Sequence, residues 1–251
     1  MKKIIAANWK MNPGSAKEAE EIVKFLAKNY TEKNVQLILF PPFVYFCRLR
    51  DELDNDADKF DWGAQDIFWE ESGAYTGEIS SAMLKSFWVQ YVIIGHSERR
   101  WKLGETDEII NKKIKTALEN GITPILAVGE KEKGDSVEKF LEDQLCKGLE
   151  DLDEKQISKI IIAYEPVWAI GTGSADNPED TIKAVRIIKD IIGKMVGKEI
   201  TDKIPVLYGG SVTSENARDF LSEKEINGAL VGGASLNKEE FLKILNIAEK
   251  L

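Results

Sequence analysis

The chain has 251 residues, of which 43% are hydrophobic and 31% are charged, a composition ordinary for a globular protein. Its formal net charge of −9 argues against non-specific binding to nucleic acid or to an anionic membrane, although a local positive field can still bind a small anion. No apolar run reaches the length of a membrane span, and 251 residues suffice for two small domains or one large α/β barrel.

In chain order, short runs rich in isoleucine and valine predict strands that are covered on both faces, as in a parallel sheet. They are residues 3–7, 35–40, 89–94, 122–128, 159–164, 204–208 and 228–231, with a weaker run at 60–64. The four apolar residues after Met1–Lys3 are too few for a signal-peptide core, and Cys47 and Cys146 have no metal-like spacing. We therefore expect reduced thiols in a cytoplasmic protein.

Between these runs the apolar residues recur with helical spacing at 105–119, 178–196 and 237–249. In the first stretch, lysine and glutamate fill the positions outside the apolar stripe. The second begins with Asn177 and Pro178, as an N-cap and a first-turn proline should. Its apolar stripe is predicted to contain Ala184, Ile187, Ile188, Ile191 and Met195.

The chain therefore contains eight predicted strand–helix units and no Pro/Ser-rich linker. Strict alternation implies parallel strands with right-handed crossovers, which an open doubly wound sheet and a closed eight-stranded barrel both satisfy. Eight units in about 250 residues match the usual size of the barrel. We predict a single catalytic domain over residues 1–251 with the (β/α)8 barrel fold.

Active sites of such barrels lie in the loops that follow the strands. The groups at these positions are Asn8 and Lys10 after the first strand, His96 after the fourth, Glu165 after the sixth, Gly209–Ser211 after the seventh and Gly232–Gly233 after the eighth. Each alone has an ordinary explanation, since a lone histidine is more often structural and a strand-end lysine is more often solvated. Their common location at one end of the fold favours an active site.

The glycine pairs after the seventh and eighth strands predict a phosphate site. Backbone N–H groups of glycines can approach an anion closely, and the N-terminus of a short helix adds partial positive charge. Ser211 supplies a hydroxyl donor. Binding by backbone dipoles suits a chain with net negative charge.

The stretch after Glu165, PVWAIGTGSAD, is too apolar for a simple exposed loop. It is either a connector packed on the surface or a lid that closes over the site and expels water. An apolar tip between a proline and a pair of glycines favours the lid. The predicted lid residues are Pro166, Val167, Trp168, Ala169, Ile170, Gly171, Thr172 and Gly173.

Eight segments along the chain resemble the signature segments of the triosephosphate isomerase family, in the same order. They are NWKMN (8–12), GAQD (63–66), GAYTGEIS (73–80), IIGHSERR (93–100), AVGE (127–130), AYEPVWAIGTG (163–173), YGGSV (208–212) and LVGGASL (230–236). The resemblance implies a (β/α)8-barrel isomerase that interconverts dihydroxyacetone phosphate and glyceraldehyde 3-phosphate in glycolysis and gluconeogenesis, with no cofactor and no metal.

The resemblance also implies roles for individual residues. Glu165 resembles the base that moves a proton between adjacent substrate carbons, His96 the neutral group that polarises the carbonyl, and Lys10 the cation that orients the substrate. A neutral His96 agrees with its place before Ser97 and Glu98, because a helix N-terminus disfavours imidazolium. The substrate-binding positions are Asn8, Lys10, Gly171, Ser211, Gly232 and Gly233, and the residues that latch the closed lid are Tyr208 and Ser211.

The segment GAYTGEIS further implies a homodimer, with Tyr75 and Thr76 as the tip of a loop that inserts near Asn8 and Lys10 of the neighbouring subunit. Two positions depart from the family pattern. Ala127 stands where a cysteine is usual, so we expect some loss of packing stability and little change in chemistry. Ser174 stands where a lysine is common, which we expect to alter lid opening rates.

Two other functions stay open. A phosphate-binding barrel that forms a lysine Schiff base needs a lysine near the middle or at the end of the strand in the sixth or seventh unit. Those ends carry Glu165 and Tyr208. A catalytically silent barrel kept as a binding or scaffold protein is disfavoured by the presence of Lys10, His96 and Glu165 together.

Overall fold

The computed structural model describes residues 2–31, 34–134, 136–169 and 176–251. Within these ranges the strands form one closed, parallel barrel in which each strand pairs with its neighbours in chain order and the first pairs with the last. The strands are β1 (Lys3–Asn8), β2 (Val35–Phe40), β3 (Asp61–Ala64), β4 (Tyr91–Ile94), β5 (Thr123–Val128), β6 (Ile161–Tyr164), β7 (Val206–Tyr208) and β8 (Gly228–Val231). The predicted (β/α)8 barrel is confirmed, and the open sheet is excluded because β1 pairs with both β2 and β8.

Helices connect successive strands on the outside of the barrel. The α-helices in the described ranges are α1 (Ala16–Asn29), α2 (Phe46–Leu53), α3 (Ser81–Ser86), α4 (Ser97–Lys102), α5 (Asp107–Glu119), α6 (Val137–Gly148), α7 (Glu154–Ile157), α8 (Pro178–Val196), α9 (Lys198–Thr201), α10 (Ala217–Leu221) and α11 (Lys238–Ala248). Short 3-10 helices cover Phe43–Tyr45, Asp54–Lys59, Val167–Ala169 and Gly233–Leu236. None of the helices in these ranges is long and apolar enough to cross a membrane.

The helix at 178–196 has the predicted bounds. The Asn177 side chain accepts the backbone N–H of Glu179 at 2.7 Å and so caps the helix. Its apolar stripe is buried at Ile188 and Ile191, but the inclusion of Met195 was wrong, since this side chain is 37% exposed. The last turn of α8 instead buries Val196, directly before the helix ends.

Successive side chains along each strand point alternately outward and inward. The apolar side chains therefore form two clusters, one between the barrel and its helices and one inside the barrel. On β1, Ala7 belongs to the outer cluster, whereas Ile4 and Ala6 belong to the inner one. The inner face continues beyond the strands into polar residues and glycines. Two residues after the inner-cluster members Ala6, Ala163, Leu207 and Leu230 stand Asn8, Glu165, Gly209 and Gly232. Strand periodicity therefore brings these four positions to one mouth of the barrel.

Ala127 lies inside the barrel on β5, fully buried and paired in register with Ala163. A partly open pocket with no room for a water molecule has Gly95, Ser97, Ala127 and Glu165 among the residues that line it. The methyl side chain thus leaves only a small space beside the carboxylate of Glu165. Its expected cost in packing stability stays a prediction.

Candidate active site

A cavity of about 220 Å³ opens at the carboxyl ends of the strands. This volume lies below the range of drug-sized ligand pockets, so the cavity suits a small ligand. It brings together most of the residues predicted for the site: Asn8, Lys10, His96, Glu165, Ser211, Gly232 and Gly233. Gly171 lies outside the described residues, and Tyr208 is fully buried and is not among the residues lining this cavity.

The short helix predicted to begin at Ser97 is α4, and His96 is its N-cap. Its Nδ1 accepts the backbone N–H of Glu98 at 3.2 Å. An accepting ring nitrogen carries no proton, so the proton of the neutral imidazole lies on Nε2. This Nε2 is 3.2 Å from Oε1 of Glu165. The cap thus fixes the tautomer in which a neutral donor faces the carboxylate.

Glu165 follows β6 and is almost completely buried. Its Oε2 accepts the backbone N–H of Ser97 at 2.8 Å, while Oε1 lies beside the ring of His96. Gly209 of the neighbouring strand end makes room for this side chain, since a Cβ there would lie 2.8 Å from Cγ of Glu165. The carboxylate is therefore held by the first turn of α4 and by the lack of a side chain after β7.

Lys10 has a backbone φ of 55°, a left-handed conformation that costs a non-glycine residue about 1 kcal/mol. Two side chains hold it there. Asn8 Oδ1 accepts the Lys10 N–H at 3.0 Å, and Gln65 donates to the Lys10 carbonyl at 2.8 Å. The strained backbone directs the side chain along Gly232, where a Cβ would lie 3.3 Å from Cε of Lys10. The ammonium thus reaches the cavity from β1.

The Lys10 ammonium pairs with Glu98, whose Oε1 lies 3.0 Å from Nζ. Burial alone would raise the pKa of Glu98, but the hydrogen bond from Lys10 and its charge outweigh burial and hold that pKa below its ordinary value. Sequence reasoning gave Glu98 no role of its own. The signal available was its position two residues after His96, on the same short helix.

A second missed carboxylate is Glu130, the second residue after β5, whereas Glu165 is the first residue after β6. It is buried and accepts hydrogen bonds from Trp168 Nε1 at 2.7 Å and from the hydroxyl of Tyr164. Burial raises the pKa of Glu130, and burial together with the neighbouring Glu130 charge raises the pKa of Tyr164. The signal available was a carboxylate within two residues of the end of a buried strand, close to the signal that singled out Glu165.

The predicted lid is described only in its first half. Pro166 and Ala169 are buried, and Val167–Ala169 form a 3-10 helix. Ile170, Gly171, Thr172 and Gly173 lie outside the described residues, as does Ser174. Beyond them, the backbone N–H of Asp176 donates to the hydroxyl of Tyr208 at 3.1 Å.

The glycine pair after β8 leads directly into the 3-10 helix Gly233–Leu236, at the edge of the cavity. Gly209, Gly210 and Ser211 line the cavity after β7. Backbone donors from both strand ends can therefore converge on an anion at this side. Among the described residues, no group of His, Cys, Asp and Glu is arranged to hold a metal ion.

A model of the triosephosphate isomerase family matches residues 3–248. Curated relatives named triosephosphate isomerase include those of Dictyoglomus thermophilum (48% identical) and Dictyoglomus turgidum (46% identical), each over 97% of this chain and 98% of the relative. The triosephosphate isomerase of Clostridium botulinum (strain ATCC 19397 / Type A) is 44% identical over the same shares of the two chains. Together with the barrel and the cavity, these matches show that the chain belongs to the triosephosphate isomerase family.

Proposed function

We propose that this chain interconverts dihydroxyacetone phosphate and D-glyceraldehyde 3-phosphate, with Glu165 as base, His96 as neutral proton donor and Lys10 as cation. The observation that carries the proposal is the contact between His96 Nε2 and Glu165 Oε1, 3.2 Å apart, in a cavity that Lys10 also lines. The names of the relatives agree with this activity.

The proposed reaction needs one proton to move between adjacent carbons. Glu165 takes the proton from one carbon, and the electron pair left behind forms the double bond of an enediolate whose oxyanion accepts a hydrogen bond from His96 Nε2. Lys10 stabilises the same developing negative charge. His96 Nε2 gives its proton to this oxyanion and takes the hydroxyl proton of the neighbouring oxygen, so that the two oxygens exchange roles. Glu165 then returns its proton to the other carbon, which leaves a carbonyl on the first carbon and a hydroxyl on the second. The carboxylate must turn away from the N–H of Ser97 to reach a substrate carbon, since its Oε2 is engaged there at 2.8 Å.

The substrate phosphate is assigned to the side of the cavity formed by Ser211, Gly232 and Gly233. Backbone dipoles there supply the positive field that a chain of net charge −9 does not supply overall. Asn8 and Gly171 complete the proposed binding set. The hydrogen bond from Asp176 to Tyr208 supports the proposal that Tyr208, with Ser211, latches the lid.

A coupled assay of glyceraldehyde 3-phosphate consumption tests this function. We expect the purified protein to reach a kcat/KM on the order of 10⁸ M⁻¹s⁻¹, near the diffusional ceiling. No turnover would favour the scaffold hypothesis. Trapping of a substrate adduct by borohydride would favour the Schiff-base hypothesis, although Lys10, the lysine of the described cavity lining, follows β1 and not β6 or β7.

We also infer that the chain forms a homodimer through Tyr75 and Thr76. Tyr75 is 45% exposed, and its ring packs on Phe68 with the ring centroids 4.6 Å apart, so the aromatic tip is held in place on the surface. Met11, which directly follows Lys10, is 95% exposed. An exposed methionine beside a catalytic lysine suits a surface that a second subunit covers. One catalytic domain over residues 1–251 and a cytoplasmic location remain parts of the same proposal.

Replacing Thr76 by arginine tests the dimer. A charge placed at a tip that inserts into a second subunit would be buried without a partner, so we expect monomers by sedimentation velocity and at least a tenfold loss of activity (an unpaired buried charge costs roughly 3–5 kcal/mol). Ser222→Arg, on an exposed residue at the end of α10, is the matched control. A Thr76→Arg protein that sediments and turns over like wild type would overturn the dimer proposal.

A further inference from the structure

The loop between β5 and α6 carries two lysines, and the ammonium group of each lies over the ring of a tryptophan in a neighbouring segment. Lys131 Nζ lies 5.5 Å from the ring centroid of Trp101 on α4. Lys133 Nζ lies 4.9 Å from that of Trp168, in the 3-10 helix after Glu165. In the barrel β5 lies between β4 and β6. The segments that follow these two strands are thus both contacted by lysines of the loop after β5.

The indole of Trp168 is held at its edge as well as on its face. Its Nε1 donates to Glu130 at 2.7 Å, and the backbone N–H of Val167 donates to the Glu130 carbonyl at 3.1 Å. An N–H that donates to a carboxylate makes the ring richer in electrons, which strengthens its attraction for a cation above the face. Glu130 and Lys133 therefore reinforce each other on the same side chain.

The charge of Lys133 also has a small effect beyond Trp168. Glu130 and Asp176 are both buried carboxylates, the first beside Trp168 and the second beside Tyr208. Burial raises the pKa of Asp176, and the charge of Lys133 opposes that rise only in small part. The contact that the structure shows for the exposed Lys133 ammonium is the one with the face of Trp168.

We propose that Lys133 is a positioning residue for the segment 166–169, which it holds in place through the face of Trp168. This proposal rests on the proposed function in so far as it concerns turnover, since Glu165 directly precedes the segment. Lys133 does not line the cavity and so does not touch the substrate. It acts by keeping the indole where Glu130 can accept its N–H, and thereby keeps the chain after the base in one conformation.

Hydrogen exchange of the free protein tests the positioning without any activity measurement. The amides of Val167 and Ala169 donate to Glu130 and Pro166 in this conformation. In Lys133→Met, which removes the charge but keeps an unbranched side chain, we expect these amides to exchange about 2- to 5-fold faster, the range that a partly exposed cation–π contact supports. Lys133→Arg keeps a cation and should restore the wild-type rate. Lys131→Met, the matched control, should leave it unchanged.

Turnover gives the second readout. An enediolate that is not enclosed can lose phosphate by elimination instead of going on to product. Lys133→Met should therefore increase the fraction of substrate lost in this way about 2- to 5-fold, while KM stays within twofold of wild type and Lys133→Arg behaves as wild type. Equal exchange in Lys133→Met and wild type would overturn the proposal, as would a Lys133→Arg protein as impaired as Lys133→Met or an equal effect of Lys131→Met. A wild-type protein with no isomerase activity would refute the proposed function, and the exchange rates would still decide the role of Lys133.

Discussion

Lys10→Met is expected to lower kcat/KM by about 10²- to 10³-fold, the usual effect of removing one group that stabilises an oxyanion. Methionine keeps the length of the side chain and its contact along Gly232, but it carries no charge. The reaction then loses the cation beside the developing negative charge. The coupled isomerase assay measures the loss, and Lys183→Met, on an exposed lysine of α8, is the control.

The same substitution leaves Glu98 without the ammonium that holds its pKa down. A half-buried carboxylate without its partner could perturb α4 and so lower activity indirectly. The double variant Lys10→Met/Glu98→Gln separates the two causes, because it removes the unpaired charge but does not restore the cation. We expect the double variant to stay as inactive as Lys10→Met. Recovery to within tenfold of wild type would show that Lys10 acts only by neutralising Glu98.

The barrel and the positions of the proposed catalytic groups could be predicted because their signals are local. A buried strand is a short apolar run, and the residue after it stands at the mouth of the barrel whatever the rest of the chain does. His96 and Glu165 could therefore be placed at one end of the fold without any knowledge of their distance. The 3.2 Å contact between their side chains depends on packing across strands and could not be predicted from the spacing alone.

Lys113 shows where helical spacing fails to predict which side chains are buried. Helical spacing places it among the polar residues of the stretch 105–119, yet it is 2% exposed. Its ammonium lies 2.6 Å from Asp66 and also bonds Glu105, and Asp66 bonds Arg99 as well. These partners lie in the loop after β3, on α4 and in the loop before α5, and they meet only in the folded chain. A lysine whose counter-charges lie up to 47 residues away carries no sign of burial in its own helix.

Removal of the proposed base, Glu165, should lower activity as much as Lys10→Met does or more. Glu165→Gln is expected to lower isomerisation by about 10²- to 10⁴-fold, the contribution of a positioned general base. Glutamine has nearly the same shape, and its carbonyl can still accept the N–H of Ser97, so the fold and the cavity should persist. Glu239→Gln, on an exposed residue of α11, is the matched control.

Proton transfer through Glu165 is tested most directly by proton NMR of glyceraldehyde 3-phosphate turnover in D₂O. A proton held on a carboxylate oxygen exchanges with solvent in those turnovers in which water reaches it before it returns to carbon. We therefore predict deuterium on carbon in the product formed by wild type and Glu239→Gln. In Glu165→Gln, both product formation and deuterium incorporation should be at least 100-fold slower. Wild-type product without deuterium, or a Glu165→Gln protein that incorporates it at the wild-type rate, would contradict the mechanism.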